Sequence, residues 1–556
     1  MKVFIRLIGF AIGIYFTLVF LLKYRLGPPT HRVRRISGIK VAMPDGVELT
    51  TDILQPVGDD ALHPTLLMRL PYGRDGFAGI AGTYARRGFN VVVQACRGTE
   101  DSGGRFNPLV NERADGLATI DWLKRQPWFD GRLGLTGPSY LGYASWAICD
   151  APEVKAISVK VSSAEFRSVV FPGGAFHLGL WLSWLQTIEG LRDAIGFSLR
   201  MFSGGIERRT RLASLTLPLV EADKAAVGHE VWFWREWFAN ALEDGPFWQD
   251  IDHRGRLGAV TAPVHLLSGW YDFMIDQLLS DYQRLVAAGK KPFLTVSSAT
   301  HITGGHDADN PADTLAWMRA YLLGDAVYLP SKPVNIEISG GGGWRAFDAF
   351  PPSQPQLETH FLGPTGALTA TSSAATAPPS RYRYDPHDPT PDAGGAIFAF
   401  TGAGPVPQHR VERRADVLVF TSAALEAPLI IIGNPEAKIF MRARLPFVDL
   451  FVRLCDVDRR GRSINICDGF LRLSPETPRD AEGIMAIDLR LHATAHRFRA
   501  GHRLRLQVSS GAHPRYARNT GTDEPVGEAT TLVANDIEIF HDADHASALT
   551  LPLYGF

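Results

Sequence analysis

Residues 134–142 read GLTGPSYLG. Inside this stretch Gly137-Pro138-Ser139-Tyr140-Leu141-Gly142 forms a G-x-S-x-x-G pattern. It is one residue longer than the G-x-S-x-G elbow that presents a nucleophilic serine at a strand-to-helix turn. The residues before it, RLGLTG (132–137), read as a strand, and those after it, YLGYASWAI (140–148), read as a helix. Glycines at 137 and 142 suit a turn in which backbone segments approach closely. Glycine–serine strings also occur in plain turns, so a catalytic Ser139 needs partners elsewhere in the chain.

Outward from this point, TLLMRL (65–70) and NVVVQAC (90–96) are continuous apolar runs, with helical patterns at about 77–87 and 112–126. Such alternation predicts a parallel sheet covered by helices on both faces. Ahead of it, residues 36–60 alternate around Asp45-Gly46, as a β-hairpin does. Past residue 165 the texture changes to FHLGLWLSWLQTIEGL (176–191) and EVWFWREWFANAL (230–242), which predict an inserted helical cap over 166–255. Strands resume with VHLLSGWYD (264–272) and PFLTVSSATH (292–301), separated by the helical QLLSDYQRLVAAG (277–289). The α/β core therefore spans 36–165 and 256–328. From 332 to 556 short runs such as VNIEIS, DVLVFTS and HRLRLQVSS recur between Gly, Pro and Asp turns. Their spacing predicts an all-β sandwich of jelly-roll type.

The first 30 residues differ from the rest. An apolar run from Leu7 to Leu22 is flanked by Lys2 and Arg6 before it and by Lys23 and Arg25 after it. Snorkelling of Arg6 and Lys23 extends it towards the ~20 residues that span a bilayer. No small-x-small cleavage site follows, so the expectation is an uncleaved membrane anchor and a membrane-attached protein. Lys23, Arg25, Arg32, Arg34 and Arg35 favour a cytoplasmic body. A single anchor behind a basic start also translocates its body, and the side stays open.

Composition narrows the classes of function. The formal net charge of -1 gives no electrostatic case for binding nucleic acid. Four cysteines, Cys96, Cys149, Cys455 and Cys467, show no C-x-x-C spacing and so no zinc or thioredoxin-type motif. Cys455 and Cys467 flank the turn DVDRRG (456–461) and are either a disulfide or two buried thiols. Nothing in the sequence specifies an oligomeric state.

A serine on such an elbow needs an acid and then a histidine, each at the end of a later strand. Asp272 follows VHLLSGWY and His301 follows PFLTVSSAT, in the order Ser139, Asp272, His301. His301 would take the serine proton and return it to the leaving group. Asp272 would hold the imidazole tautomer and stabilise its cation. His306 and Asp276 are rival partners, and Ser145 reads as a packing residue. The chemistry needs no metal or organic cofactor.

Several blocks resemble one superfamily, the X-prolyl dipeptidyl-peptidase and cocaine-esterase group of serine hydrolases, which includes the α-amino-acid ester hydrolases. They are RLPYGRDG (69–76), RGTEDSGGRF (97–106), residues 112–142, GWYDFM (269–274), YDPHDPTPDAGG (384–395), VERRADVLVFTS (411–422) and AGHRLRLQVSS (500–510). The likeness runs from about residue 37 to the C-terminus. It implies an α/β-hydrolase core, a helical cap and a C-terminal jelly-roll. It also implies an oxyanion hole made by the Tyr72 hydroxyl and the backbone N–H of Tyr140. One block departs from the family. Gln94-Ala95-Cys96-Arg97-Gly98 stands where Asp-x-Arg-Gly is usual, which leaves Arg97 without its expected carboxylate.

The substrate would be a small ester, amide or short peptide. Phe176, Trp181, Trp184, Trp232, Trp234, Trp237, Trp270 and Phe273 are candidates to line an apolar pocket between cap and core, Trp270 foremost. Dipeptidyl-peptidases and amino-ester hydrolases must also bind an ammonium group, for which Glu165, Glu189 and Asp193 are available. The open readings are an X-Pro dipeptidyl-peptidase, an α-amino-acid ester hydrolase and a plain carboxylesterase. A non-enzymatic alternative is a scaffold that binds ligands through its β-sandwich.

Overall fold

The computed structural model describes residues 26–190, 194–241, 245–302, 311–372 and 376–555. The apolar run expected to anchor the chain lies outside these residues. Among the described residues no helix is long and apolar enough to cross a membrane.

Ten strands form the first sheet, in the order β1-β2-β4-β3-β5-β6-β7-β8-β9-β10. They are β1 (Arg32–Ala42), β2 (Glu48–Val57), β3 (Thr65–Leu70), β4 (Asn90–Ala95), β5 (Leu133–Pro138), β6 (Val154–Lys160), β7 (Val264–Tyr271), β8 (Phe293–Thr300), β9 (Val334–Ile338) and β10 (Gly343–Phe347). The β1–β2 hairpin turns at Asp45-Gly46 and adds antiparallel to β4. From β4 through β9 every pairing is parallel. The runs that read as continuously apolar, β3 and β4, are buried along their whole length. That is what a sheet covered on both faces requires.

Helices α1 (Arg74–Ala85), α2 (Glu112–Lys124) and α3 (Tyr140–Trp146) connect the first strands. Between β6 and β7 the chain leaves the sheet for a set of helices that includes α4 (Leu178–Gly190) and α5 (Trp232–Ala239). Their aromatic side chains have their own core, with Phe176, Trp181, Trp184, Trp234 and Trp237 buried against Tyr140 and Phe273. After β7, α6 (Ile275–Ala287) crosses to β8.

Thirteen strands from Gln356–Leu362 to Ala548–Leu553 form the second, β-rich domain, mostly antiparallel around a separate apolar core. Strand β9, read from VNIEIS as the opening of the second domain, pairs with β8 in the first sheet, and β10 follows it. Its burial alternates along the strand. An alternating strand reads the same in sequence whichever sheet it joins. The two domains also share packing. Ile432, Ala493, Ala495 and Tyr554 of the second domain belong to the core cluster that holds Leu266, Leu294 and Val296 of the first.

All four cysteines are free and buried. Cys467 sits opposite Leu454, and Cys455 opposite Asn465, so the thiols are out of register and the Cys455–Cys467 pairing is not formed. Burial pushes the Cys455 thiol up to about 12.

Candidate active site

Ser139 occupies the turn between β5 and α3 with φ 55° and ψ -121°, a conformation that L-residues rarely adopt. Its backbone N–H donates to Lys160 O at the end of β6 (2.9 Å), which pins the turn to the sheet. The two glycines of the motif have distinct steric reasons. A Cβ on Gly137 would lie 2.2 Å from Leu141 Cβ, and one on Gly142 would lie 2.6 Å from Ser162 Cβ. The longer spacing of the motif thus places its last glycine within α3, against the segment after β6.

Asp272 follows β7 and is fully buried. Its Oδ1 accepts from Met274 N (3.2 Å) and its Oδ2 from Ser268 Oγ (2.9 Å). His301 follows β8. Its Nδ1 lies 2.8 Å from Asp272 Oδ1, and its Nε2 lies 3.1 Å from Ser139 Oγ. The structure therefore brings Ser139, His301 and Asp272 into one hydrogen-bonded chain at the carboxyl ends of β5, β8 and β7. The Phe273 ring lies over His301 at 4.3 Å between centroids. Of the rival partners, Asp276 turns away. Its carboxylate accepts from Asn434 Nδ2 (2.9 Å) and Ala493 N (3.0 Å) and pairs with His492 Nδ1 (2.7 Å), all in the β-rich domain. His306 lies outside the described residues. Ser145 donates to Leu141 O within its own helix.

Tyr72 follows β3. Its hydroxyl accepts a hydrogen bond from Trp184 Nε1 of the cap (3.0 Å) and contacts Ser139. Burial pushes its phenol up to about 12, so it stays protonated and able to donate. Tyr140 supplies the first backbone N–H of α3, and its own hydroxyl is used below the turn. It donates to Glu112 Oε1 (2.8 Å) and accepts from Leu109 N (2.9 Å). Glu112 in turn pairs with Arg69 (3.0 Å), whose Nε donates to Gln94 Oε1 (3.0 Å). Arg97 does not lack carboxylates. Asp115 of α2 and Asp45 of the hairpin turn each pair with it at 2.6 Å. The missing local aspartate is replaced from distant segments.

Above Ser139 lies a cleft of about 350 Å³, including its open mouth. Tyr72, Tyr140, Trp181, Trp184, Phe273 and Met274 line it, together with Leu109, Phe166 and Leu180. Phe398, from the second domain, completes the wall and stands 5.7 Å from the His301 ring. Sequence reading missed Phe398 because no local pattern marks a loop that returns from another domain. Trp270, the foremost candidate, is not in the cleft. Its Nε1 donates to Glu337 O of β9 (2.7 Å) and its ring packs in the sheet's own core. Trp234 is also held elsewhere, by Leu219 O (3.0 Å), and Trp232 by Phe106 O (3.2 Å). Trp237 packs behind Trp181 at 4.5 Å, and Phe176 packs on Trp234 at 5.1 Å.

Of the candidate ammonium-binding carboxylates, Glu165 and Glu189 do not line the cleft either. Glu165 accepts from Ser168 N (2.7 Å) and Ser168 Oγ (2.6 Å), and Glu189 pairs with His229 (3.4 Å). Asp193 lies outside the described residues.

A family model described as X-Pro dipeptidyl-peptidase (S15 family) matches residues 45–303, and its C-terminal non-catalytic domain matches residues 329–550. Cocaine esterase of Rhodococcus sp. (strain MB1 Bresler) is 30% identical over 576 aligned positions, which cover 93% of this chain and 98% of that one. The chain belongs to the X-Pro dipeptidyl-peptidase (S15) family. Solved structures share its fold over nearly its whole length. An aminopeptidase from a marine sediment Thaumarchaeota archaeon superposes with a TM-score of 0.79 at 22% identity, covering 95% of this chain and 98% of that one. An α-amino acid ester hydrolase superposes with a TM-score of 0.78 at 20% identity and the same coverage. The S15 family is one of serine hydrolases, and this chain is a hydrolase of that family.

Proposed function

We propose that this protein is a carboxylesterase that forms an acyl-enzyme on Ser139 and accepts a compact apolar or aromatic acyl group with no free ammonium. The observation that carries the chemistry is the run from Ser139 Oγ to His301 Nε2 (3.1 Å) and from His301 Nδ1 to Asp272 Oδ1 (2.8 Å). With Nδ1–H donated to Asp272, Nε2 holds the lone pair that takes the serine proton as Oγ attacks the ester carbonyl. The tetrahedral oxyanion then forms between the Tyr72 hydroxyl and the N–H of Tyr140. Trp184 fills one lone pair of the Tyr72 oxygen, which leaves the phenol proton to turn towards the developing charge. His301 passes its proton to the leaving alkoxide. Water, activated by the same imidazole, releases the acid and frees Ser139.

The choice of substrate class rests on the lining. The described residues around the cleft are aromatic and aliphatic with tyrosine and serine hydroxyls, and carry no carboxylate. A buried ammonium without a carboxylate partner would be strongly disfavoured. This favours an esterase over a dipeptidyl-peptidase or amino-ester hydrolase. The near full-length relative from Rhodococcus is likewise named as an esterase.

The test compares the purified protein on aryl acetates and benzoates with an X-Pro anilide and an α-amino ester, beside labelling by a fluorophosphonate. Turnover of the neutral esters with negligible cleavage of the amino substrates is expected. Preference for the X-Pro anilide would overturn the substrate assignment. Absence of labelling on folded protein would overturn the nucleophile.

A further inference from the structure

Two imidazoles and a carboxylate converge at the end of the sheet away from the cleft. His31 Nε2 lies 3.0 Å from Asp59 Oδ2, and His63 Nε2 lies 3.0 Å from Asp59 Oδ1. The rings meet edge to face at 5.1 Å between centroids. One ligand atom from each residue falls within 4.8 Å of the other two. His31 immediately precedes β1, while Asp59 and His63 sit in the loop between β2 and β3. Thr65, just after His63, pairs with Leu133 at the start of β5, and Ser139 follows the far end of β5. The cluster and the nucleophile thus occupy opposite poles.

The contacts around His31 include one partner behind the ring. Thr30 Oγ has one proton, which it donates to Arg86 O (3.2 Å). With that proton on Arg86 O, the 2.8 Å contact with His31 Nδ1 leaves Nδ1 as the donor. A neutral His31 then aims the lone pair of Nε2 at a carboxylate oxygen. Two acceptors at that distance repel each other unless a proton or a metal ion lies between them. His63 brings a second imidazole to the other oxygen of the same carboxylate.

We propose that His31, Asp59 and His63 form a binding site for a divalent transition-metal ion of the zinc class. Zinc takes imidazole nitrogen and carboxylate oxygen at about 2.0–2.2 Å, which spaces tetrahedral donors by about 3.4 Å. The nitrogen–oxygen spacings here are close to that. The side chains of His31 and His63 are 18% and 12% exposed, so water can take the remaining position. Thr30 acts behind the ligand, fixing the ring and its tautomer. The ion would staple the chain ahead of β1 to the β2–β3 loop and take no part in ester cleavage.

The test uses the full chain without a histidine tag, stripped with a chelator and titrated with zinc chloride by calorimetry. One ion per chain and a rise in Tm on adding zinc are expected. His63→Ala and Asp59→Asn should lose both effects while keeping the circular dichroism and ester turnover of the parent. Thr30→Val, which retains every ligand, should weaken binding roughly tenfold or more. Failure of the parent to take up stoichiometric zinc would overturn the proposal, as would undiminished binding in both ligand variants. Ring protonation with no zinc uptake, followed by NMR of the histidines, would assign plain imidazolium–carboxylate pairs and overturn it equally.

Discussion

The floor of the cleft and its walls are built on different principles. The floor comes from four strand ends of one sheet, those of β3, β5, β7 and β8, and its triad is hydrogen-bonded throughout. Asp272 alone receives hydrogen bonds from Ser268, Met274 and His301. The walls come from separate parts of the chain: Trp181 and Trp184 from the cap, Phe398 from the β-rich domain and Phe273 from the loop after β7. They meet by aromatic packing, with one hydrogen bond, Trp184 to Tyr72, joining wall to floor. A floor fixed by hydrogen bonds tolerates almost no change of chemistry. A packed wall tolerates changes of shape.

The sharpest way to break this contrast is at Ser139. Ser139→Ala should lower kcat by about 10⁴–10⁶-fold and abolish fluorophosphonate labelling without lowering Tm. Retained turnover would show that the floor does not carry the reaction. Next, Tyr72→Phe should cost about 10²–10³-fold in kcat with KM little changed, because the lost donor acts on the transition state. Trp184→Phe keeps the wall's bulk and removes only the N–H, so its loss should be smaller than that of Tyr72→Phe and fall again on kcat. A loss confined to KM would place Trp184 in the wall alone. Trp181→Ala should leave kcat for the smallest esters within about tenfold and shift the preference towards bulkier acyl groups, read from kcat/KM across an acyl series.

The smallest effect concerns stability. Asp281 is buried near the start of the cap, accepts from Ala164 N (2.8 Å), and burial pushes its carboxyl up to about 8. The folded state therefore holds this proton while the unfolded chain has lost it, between about pH 4 and pH 8. Stability from this group is fully present below the unfolded value and falls as pH rises through that window. Asp281→Asn, which keeps an acceptor for Ala164, should flatten the decline in Tm between pH 5 and 8. An unchanged slope would remove Asp281 as its source.

The triad of the floor was legible in sequence because each of its residues has a local mark. An apolar strand followed at once by Ser139, Asp272 or His301 marks the positions that the structure brings together. The walls were partly legible. The tryptophan-rich stretches declared a cap, but helical burial spreads such rings over every face, and of the eight aromatic candidates only Trp181, Trp184 and Phe273 reach the cleft. Trp270 misled because its neighbour Asp272 lies at the site while its own ring packs into the sheet. Tyr72 has no local mark and came from family resemblance alone. Phe398, the partners of Arg97 and the sheet joined by β9 depend on long-range pairing, which no window of sequence contains.

The interlocking of Ile432, Ala493, Ala495 and Tyr554 with the first domain's core has a practical meaning. Cutting the chain near residue 330 would strip β9 and β10 from the sheet and uncover apolar surface, so the catalytic half should precipitate rather than work as a smaller enzyme. Exchanging the C-terminal half between relatives would also replace Phe398, and with it part of the cleft wall. A region described as non-catalytic is therefore a place to look for inherited differences in substrate choice.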